Sequence, residues 1–402
     1  MRISALLAVG LIWMTACGGT APNQAAQNPT PAAESSPTPA STQPPATTQA
    51  QASPSAQATV SPVAVPSPSP VVAGGPCHSL APSYGLLLSG TNGLAGSSGT
   101  LEMVGPDGCV AASAPVSAPS QHGCAQGMAA VLAPPVSATN DKVFFRDGDT
   151  KIRFLTPTGE TGDATTVPGG QNAVSFFSVS PDDLRIAVLV EDLSSSTTIG
   201  LQLYVEDLVG GGHHSVIYTS SVAMGKGGTT LWPMGWHNGS LALAVVTACT
   251  FEYVPNPTAW HISDATTGQR QATVGTGTCL PGWWPSPAGL TCVDYPTSQV
   301  NIYDWSGRLT ATVTGYSGSP ALSPTGTLVS LAEGGGLGIQ SPVTTVLPAT
   351  GGIPIRIPGV RACLWIDDSA LLVPGAVIQY PGGGIVTELA GTVCAGRFPG
   401  GL

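Results

Sequence analysis

Beyond about residue 76 the chain alternates short apolar runs with turn-forming residues. Val, Ile, Leu, Thr and aromatic side chains dominate each run, and Gly, Pro, Asn, Asp or Ser bounds it. No window carries apolar residues at helical spacing for three turns without a Gly or Pro interrupting. This pattern predicts an all-β domain.

The runs recur in phase. Phe177-Ser178-Val179-Ser180-Pro181-Asp182-Asp183-Leu184-Arg185-Ile186-Ala187-Val188 reads as strand, tight turn, strand. Ala321-Leu322-Ser323-Pro324-Thr325-Gly326-Thr327-Leu328 and Trp284-Pro285-Ser286-Pro287-Ala288-Gly289-Leu290 repeat it, with weaker copies at Trp236-His237-Asn238-Gly239 and Trp365-Ile366-Asp367-Asp368. Pro presets the first turn position, and Asp, Asn or Gly tolerates the next. A second set of turns follows: Gly105-Pro106-Asp107-Gly108, Thr156-Pro157-Thr158-Gly159, Asp207-Leu208-Val209-Gly210, Asp264 to Gly268, Asp304-Trp305-Ser306-Gly307, Pro348-Ala349-Thr350-Gly351 and Pro381-Gly382-Gly383-Gly384. Their spacing, roughly 30 to 60 residues, suits four-stranded repeats.

Ser180-Pro181-Asp182 followed by Ile186-Ala187 and by Leu203-Tyr204-Val205-Glu206-Asp207 resembles the blade repeat of TolB-like and WD40-like β-propellers. The resemblance is sharp only around residues 174–209. It implies a β-propeller; the seven edge turns suggest seven blades, with six or eight possible, and a two-sheet sandwich is the structural alternative. The first blade lacks an inner strand, which residues 392–398 would supply to close the ring. Cys394 would then lie in blade one, near Cys77 or Cys109.

Composition narrows the function. Charged residues are 8% of the chain, and the net charge is −10. No Lys or Arg lies between Arg2 and Lys142, so phosphate neutralisation and nucleic acid as a partner are excluded expectations. Of nine cysteines, Cys77, Cys109, Cys124, Cys249, Cys279, Cys292, Cys363 and Cys394 make an even set without Cys-x-x-Cys, which points to disulfides in an oxidising compartment. Cys109–Cys124 and Cys279–Cys292 are the local pairs that close most cheaply, among on the order of a hundred pairings.

The ninth, Cys17, follows Met14-Thr15-Ala16, behind Arg2 and an apolar stretch over residues 3–13. A positive start, a short apolar core and small residues before the cut describe a secretory signal, too short to span a bilayer. The junction resembles the bacterial lipobox, with Met14 departing from the usual Leu, Val or Ile. It implies a signal peptide over residues 1–16, a lipidated Cys17 and a membrane anchor outside the cytoplasm. Residues 17–76 are nearly all Ala, Pro, Ser, Thr, Gln and Gly, with Glu34 the single charge, and are expected to be a disordered linker. Fully extended it reaches on the order of 180 Å, as a coil about 45 Å. The propeller domain is expected over residues 77–402.

Chemistry is sparse. Gly315-Tyr316-Ser317-Gly318-Ser319 lacks the last glycine of a nucleophile elbow, and neither a Walker loop nor His-Glu-x-x-His occurs. His213-His214 falls on an edge loop, and Asp147-Gly148-Asp149 reads equally as a hairpin turn or as two calcium-facing oxygens. No cofactor and no metal is implied. Trp236, Trp284 and Trp365 share a repeat position that packs between blades, whereas Trp232 and Trp283, beside Pro and Gly, are candidates for stacking on a ligand. The expected protein is a lipid-anchored monomeric propeller binding a protein, peptide or glycan. The alternative is a hydrolase or lyase with its site in the channel.

Overall fold

The computed structural model describes residues 76–402, apart from 91–96, 121, 124–128, 131–135, 250–256, 276, 317, 335–340, 383, 389–391 and 401. The signal, Cys17 and the linker lie outside the described residues.

Every regular element among the described residues is a strand. Seven antiparallel sheets of four strands follow one another along the chain, and neighbouring sheets touch in succession around a ring. Blade two holds Val136–Ala138, Val143–Asp147, Lys151–Leu155 and Thr161–Thr166 from centre to rim. Blade three begins at Ala173–Val179, blade four at Thr229–His237, blade five at Cys279–Pro281, blade six at Ser319–Leu322 and blade seven at Leu364–Asp367. The first repeated turn joins inner to second strand in blades three to seven, and the second joins third to outer strand in all seven. These turns define a lower face. The upper face carries the links between blades and the turns between second and third strands.

Closure follows the expected route. The strand Thr392–Phe398 pairs antiparallel with Tyr84–Ser89 and completes blade one as its inner strand. A ring leaves no inner edge unpaired, which rules out the sandwich.

The tryptophans show how blades are joined. Trp236 Nε1 donates to the Ser178 carbonyl on blade three at 3.2 Å, and Trp365 Nε1 to Ala321 on blade six at 3.2 Å. Trp260 Nε1 reaches Gly282 on blade five at 3.1 Å. Each buried ring thus fills the space between blades while its one polar atom is satisfied. Arg185 lies 4.9 Å over the Trp236 ring and seals the same junction. Trp284 departs from the expected equivalence. Pro281, Gly282 and Pro285 end the inner strand of blade five after three residues, and Trp284 leaves the ladder.

Three disulfides are seen in full: Cys77–Cys109, Cys279–Cys292 and Cys363–Cys394. Cys249 is also disulfide-bonded, and Cys124 lies outside the described residues. Two expected pairings are corrected. Cys109 bonds Cys77, not Cys124, because residue 76 bridges Val110 and lays the chain beside that strand. The strand Val110–Ser117 meanwhile carries the chain away toward the other face. Cys394 does lie in blade one, yet it bonds Cys363. Cys77 and Cys109 sit at the outer strand, three strand spacings or about 14 Å from the inner one.

Candidate functional site

The centre of the ring is narrowed by Trp284 and by the chain's last residues, with a cavity between them. Trp284 leaves blade five and packs on a cluster of blades one and seven that includes Leu87, Leu364 and Ile366. From the other side Gly400 and Leu402 approach it. Gly400 N–H donates to Thr139 on blade two, Leu402 N–H to Trp236 on blade four, and the Leu402 carbonyl faces His237 Nδ1. A Cβ at Gly235 would collide with Leu402 Cδ1, so glycine is what lets this segment approach blade four. His237 is held in turn against the Trp305 ring, 5.0 Å between centroids.

A cavity of about 80 Å³ remains between Trp284 and Leu402. Its lining is mostly apolar, and Arg397 is the one ionisable side chain in it. Arg397 Nε donates to the Ile366 carbonyl at 2.9 Å and Nη1 to Pro399 at 3.1 Å. Burial lowers its pKa, partly opposed by the carboxylates of Asp367 and Asp368. Its guanidinium thus braces the closure of blade one onto blade seven. Among the described residues of the lining, no two acids and no nucleophile–base set come together.

The upper face holds the unusual electrostatics. Glu191, at the end of the second strand of blade three, is 2% exposed, and burial pushes its pKa up to about 7. The Cys249 backbone N–H, 3.2 Å from Oε2, pulls the other way, as does the neighbouring Trp232 indole. Neither Glu191 Oε1 nor Trp232 Nε1 completes a hydrogen bond of ordinary geometry among the described residues. Arg146, in register with Leu189 and also near the upper end of its second strand in blade two, is 1% exposed. Sequence reasoning missed both. The signal was available in register: blades four, five and six carry Ala244, Val293 and Ala332 at the position of Arg146, and blade four carries Val246 at that of Glu191.

The predicted stacking residues are placed differently from expectation. Trp232 lies inside a strand, 7% exposed, with its face stacked on Phe176 at 4.0 Å. Trp283 is partly buried in the same cluster and turns edge-on to Trp232 at 6.0 Å and to Trp284 at 6.2 Å. The two rings are core, because the inner strands need bulk where blades converge. Asp147-Gly148-Asp149 is a hairpin turn whose acids are already engaged. Asp147 accepts the Ser117 N–H at 2.7 Å, and Asp149 accepts the Ser120 N–H at 2.6 Å and hydroxyl at 2.8 Å. His213 and His214 face Asp207 and Glu206 at 2.7 and 2.8 Å on the lower rim of blade three.

No protein-family model and no curated protein matches the chain. Among solved structures it is similar to TolB from Acinetobacter baumannii, at 15% identity and a TM-score of 0.38 over 69% of this chain. The chain spans 64% of the length of that TolB. An oligogalacturonate lyase from Vibrio parahaemolyticus is similar at 10% identity and a TM-score of 0.43, covering 72% of this chain and 87% of the lyase. A protein of unknown function from Bacteroides caccae is similar at 11% identity and a TM-score of 0.37, over 77% and 94% of the two chains. At such values the likeness is one of architecture and says nothing of activity.

Proposed function

We propose that this chain is a lipid-anchored, extracytoplasmic propeller that presents a rigid ring as a binding module for a protein, peptide or glycan. The observation that carries the reading is the narrowed centre: Trp284, Leu402 and a backbone-bound Arg397 leave only a small cavity where a channel site would lie. The chemistry left to the ring is therefore on its faces. Disulfides support export, since they persist in oxidising compartments. Met14-Thr15-Ala16-Cys17 supplies the anchor, and the Pro- and Ala-rich residues 17–76 supply the reach.

Two measurements test it. Cells fed a fatty-acid analogue label the parent protein and not Cys17→Ser, which is recovered from the medium or the soluble fraction. A Cys17→Ser protein labelled as strongly as the parent removes the anchor from the proposal. Crosslinking on intact cells, followed by capture of the ring, is expected to recover a partner. A glycan array probed with the soluble ring tests the sugar arm. Silence in both sinks the binding role.

A further inference from the structure

Arg146 is a buried cation whose charge the fold does not use. It lies between blades two and three, where Nη1 donates to the Ser175 carbonyl at 2.5 Å. Nε and Nη2 have no hydrogen-bond partner among the described residues. Asp149 acts on it through space only, because that carboxylate is held by Ser120. Beside Arg146, His122 is 4% exposed. Its ring bonds the Gln171 backbone, and Nδ1 has no partner among the described residues. Burial lowers the Arg146 pKa to about 10, so the group is charged at neutral pH.

Such an arrangement is expensive. An uncompensated buried charge costs several kcal/mol, and each buried donor left without a partner costs about 1–3 kcal/mol. The fold does not demand it, since Leu189, Ala244, Val293 and Ala332 fill the same register position in other blades. Geometry narrows what would satisfy it. With Nη1 anchored to Ser175, the free Nε–H and Nη2–H are the two parallel donors on one edge of the guanidinium. That edge matches the two oxygens of a carboxylate in a single plane. A doubly charged phosphate fits less well beside Asp149 in a chain of net charge −10.

We propose that the free edge of Arg146 is a receptor for a carboxylate, held in bidentate fashion at the junction of blades two and three. His122 Nδ1 stands at its side as an acceptor for a hydroxyl or a water that accompanies the ligand. Ser120 and Asp149, both partly exposed, mark the approach from solvent. The site is independent of the anchor and of the narrowed ring centre. The carboxylate comes either from a small acid or from an acidic side chain of a bound polypeptide.

The test uses sodium acetate, acetyl-Gly-Glu-Gly-amide and its Gln counterpart, each against sodium chloride at equal ionic strength. The Arg146 Nε–H resonance and the melting temperature of the soluble ring are followed. A saturable shift with acetate, at an affinity about tenfold weaker or worse in Arg146→Met, supports a small-acid receptor. A shift with the Glu peptide alone, absent with Gln, supports a side-chain receptor. Arg146→Met without ligand is expected to be at least as stable as the parent. No response beyond chloride, or the same response in Arg146→Met, overturns the proposal and leaves the edge to water. Should that variant fail to fold, the titration of the parent resonance decides alone.

Discussion

Replacing Cys363 and Cys394 together by serine lowers the stability of the ring by about 3–4 kcal/mol. The bridge closes a sequence separation of 31 residues, and that loop's entropy in the unfolded chain sets the magnitude. Its place decides where the loss is felt. Thr392–Phe398 is the strand that closes the circle, paired on one side with Tyr84–Ser89. Cys394 lies within it, and Cys363 stands immediately before the inner strand of blade seven. The bridge therefore holds the closing strand to blade seven while hydrogen bonds hold it to blade one. Urea unfolding of the double variant is expected to shift to lower midpoint. Amide exchange is expected to quicken first in Thr392–Phe398 and Tyr84–Ser89. Unchanged protection in those strands, with or without a shifted midpoint, contradicts this account of closure.

The blade repeat was legible because turns are local. Ser180-Pro181-Asp182-Asp183 announces its geometry through proline and through Asp183, which takes a φ of 59°. The seven third-to-outer turns stand where Pro, Asp and Gly place them, and the missing inner strand of blade one foretold the role of residues 392–398. What depends on contacts between distant blades was not legible. Trp284 shares a repeat position with Trp236 and Trp365, yet neighbouring prolines remove it from the ladder and send it across the centre. Trp232 has Pro233 beside it in sequence, which reads as a loop, but a Phe176 face in space. The pairing of Cys394 with Cys363 likewise follows from the distance between inner and outer strands, which no spacing along the chain encodes. Arg146 and Glu191 form an intermediate case. Strand periodicity marks their positions as buried, and only comparison across blades marks Arg146 as a charge where the repeat has Leu, Ala or Val, and Glu191 as one where blade four has Val246.

Glu191→Gln is expected to flatten the fall of stability with rising pH and to stabilise the ring by about 3 kcal/mol at pH 8. The native carboxyl titrates near 7, against 4.5 for an unperturbed glutamate, chiefly because burial penalises its charge. Below pH 4.5 the group is protonated in both the folded and the unfolded chain and contributes no difference. As pH rises through that value the unfolded chain releases its proton, while the folded ring keeps it until about 7. The unfolded chain is favoured across that window, and the full penalty stands above it. Glutamine keeps the size and the acceptor for the Cys249 N–H, 3.2 Å away, and removes the charge. Parent and variant are therefore expected to converge near pH 4 and to separate between 5 and 8. Taking the difference between the two proteins cancels every other titrating group. Parallel stability profiles across that range would show that Glu191 is ionised in the native ring at no cost, through a partner or water that relieves its burial.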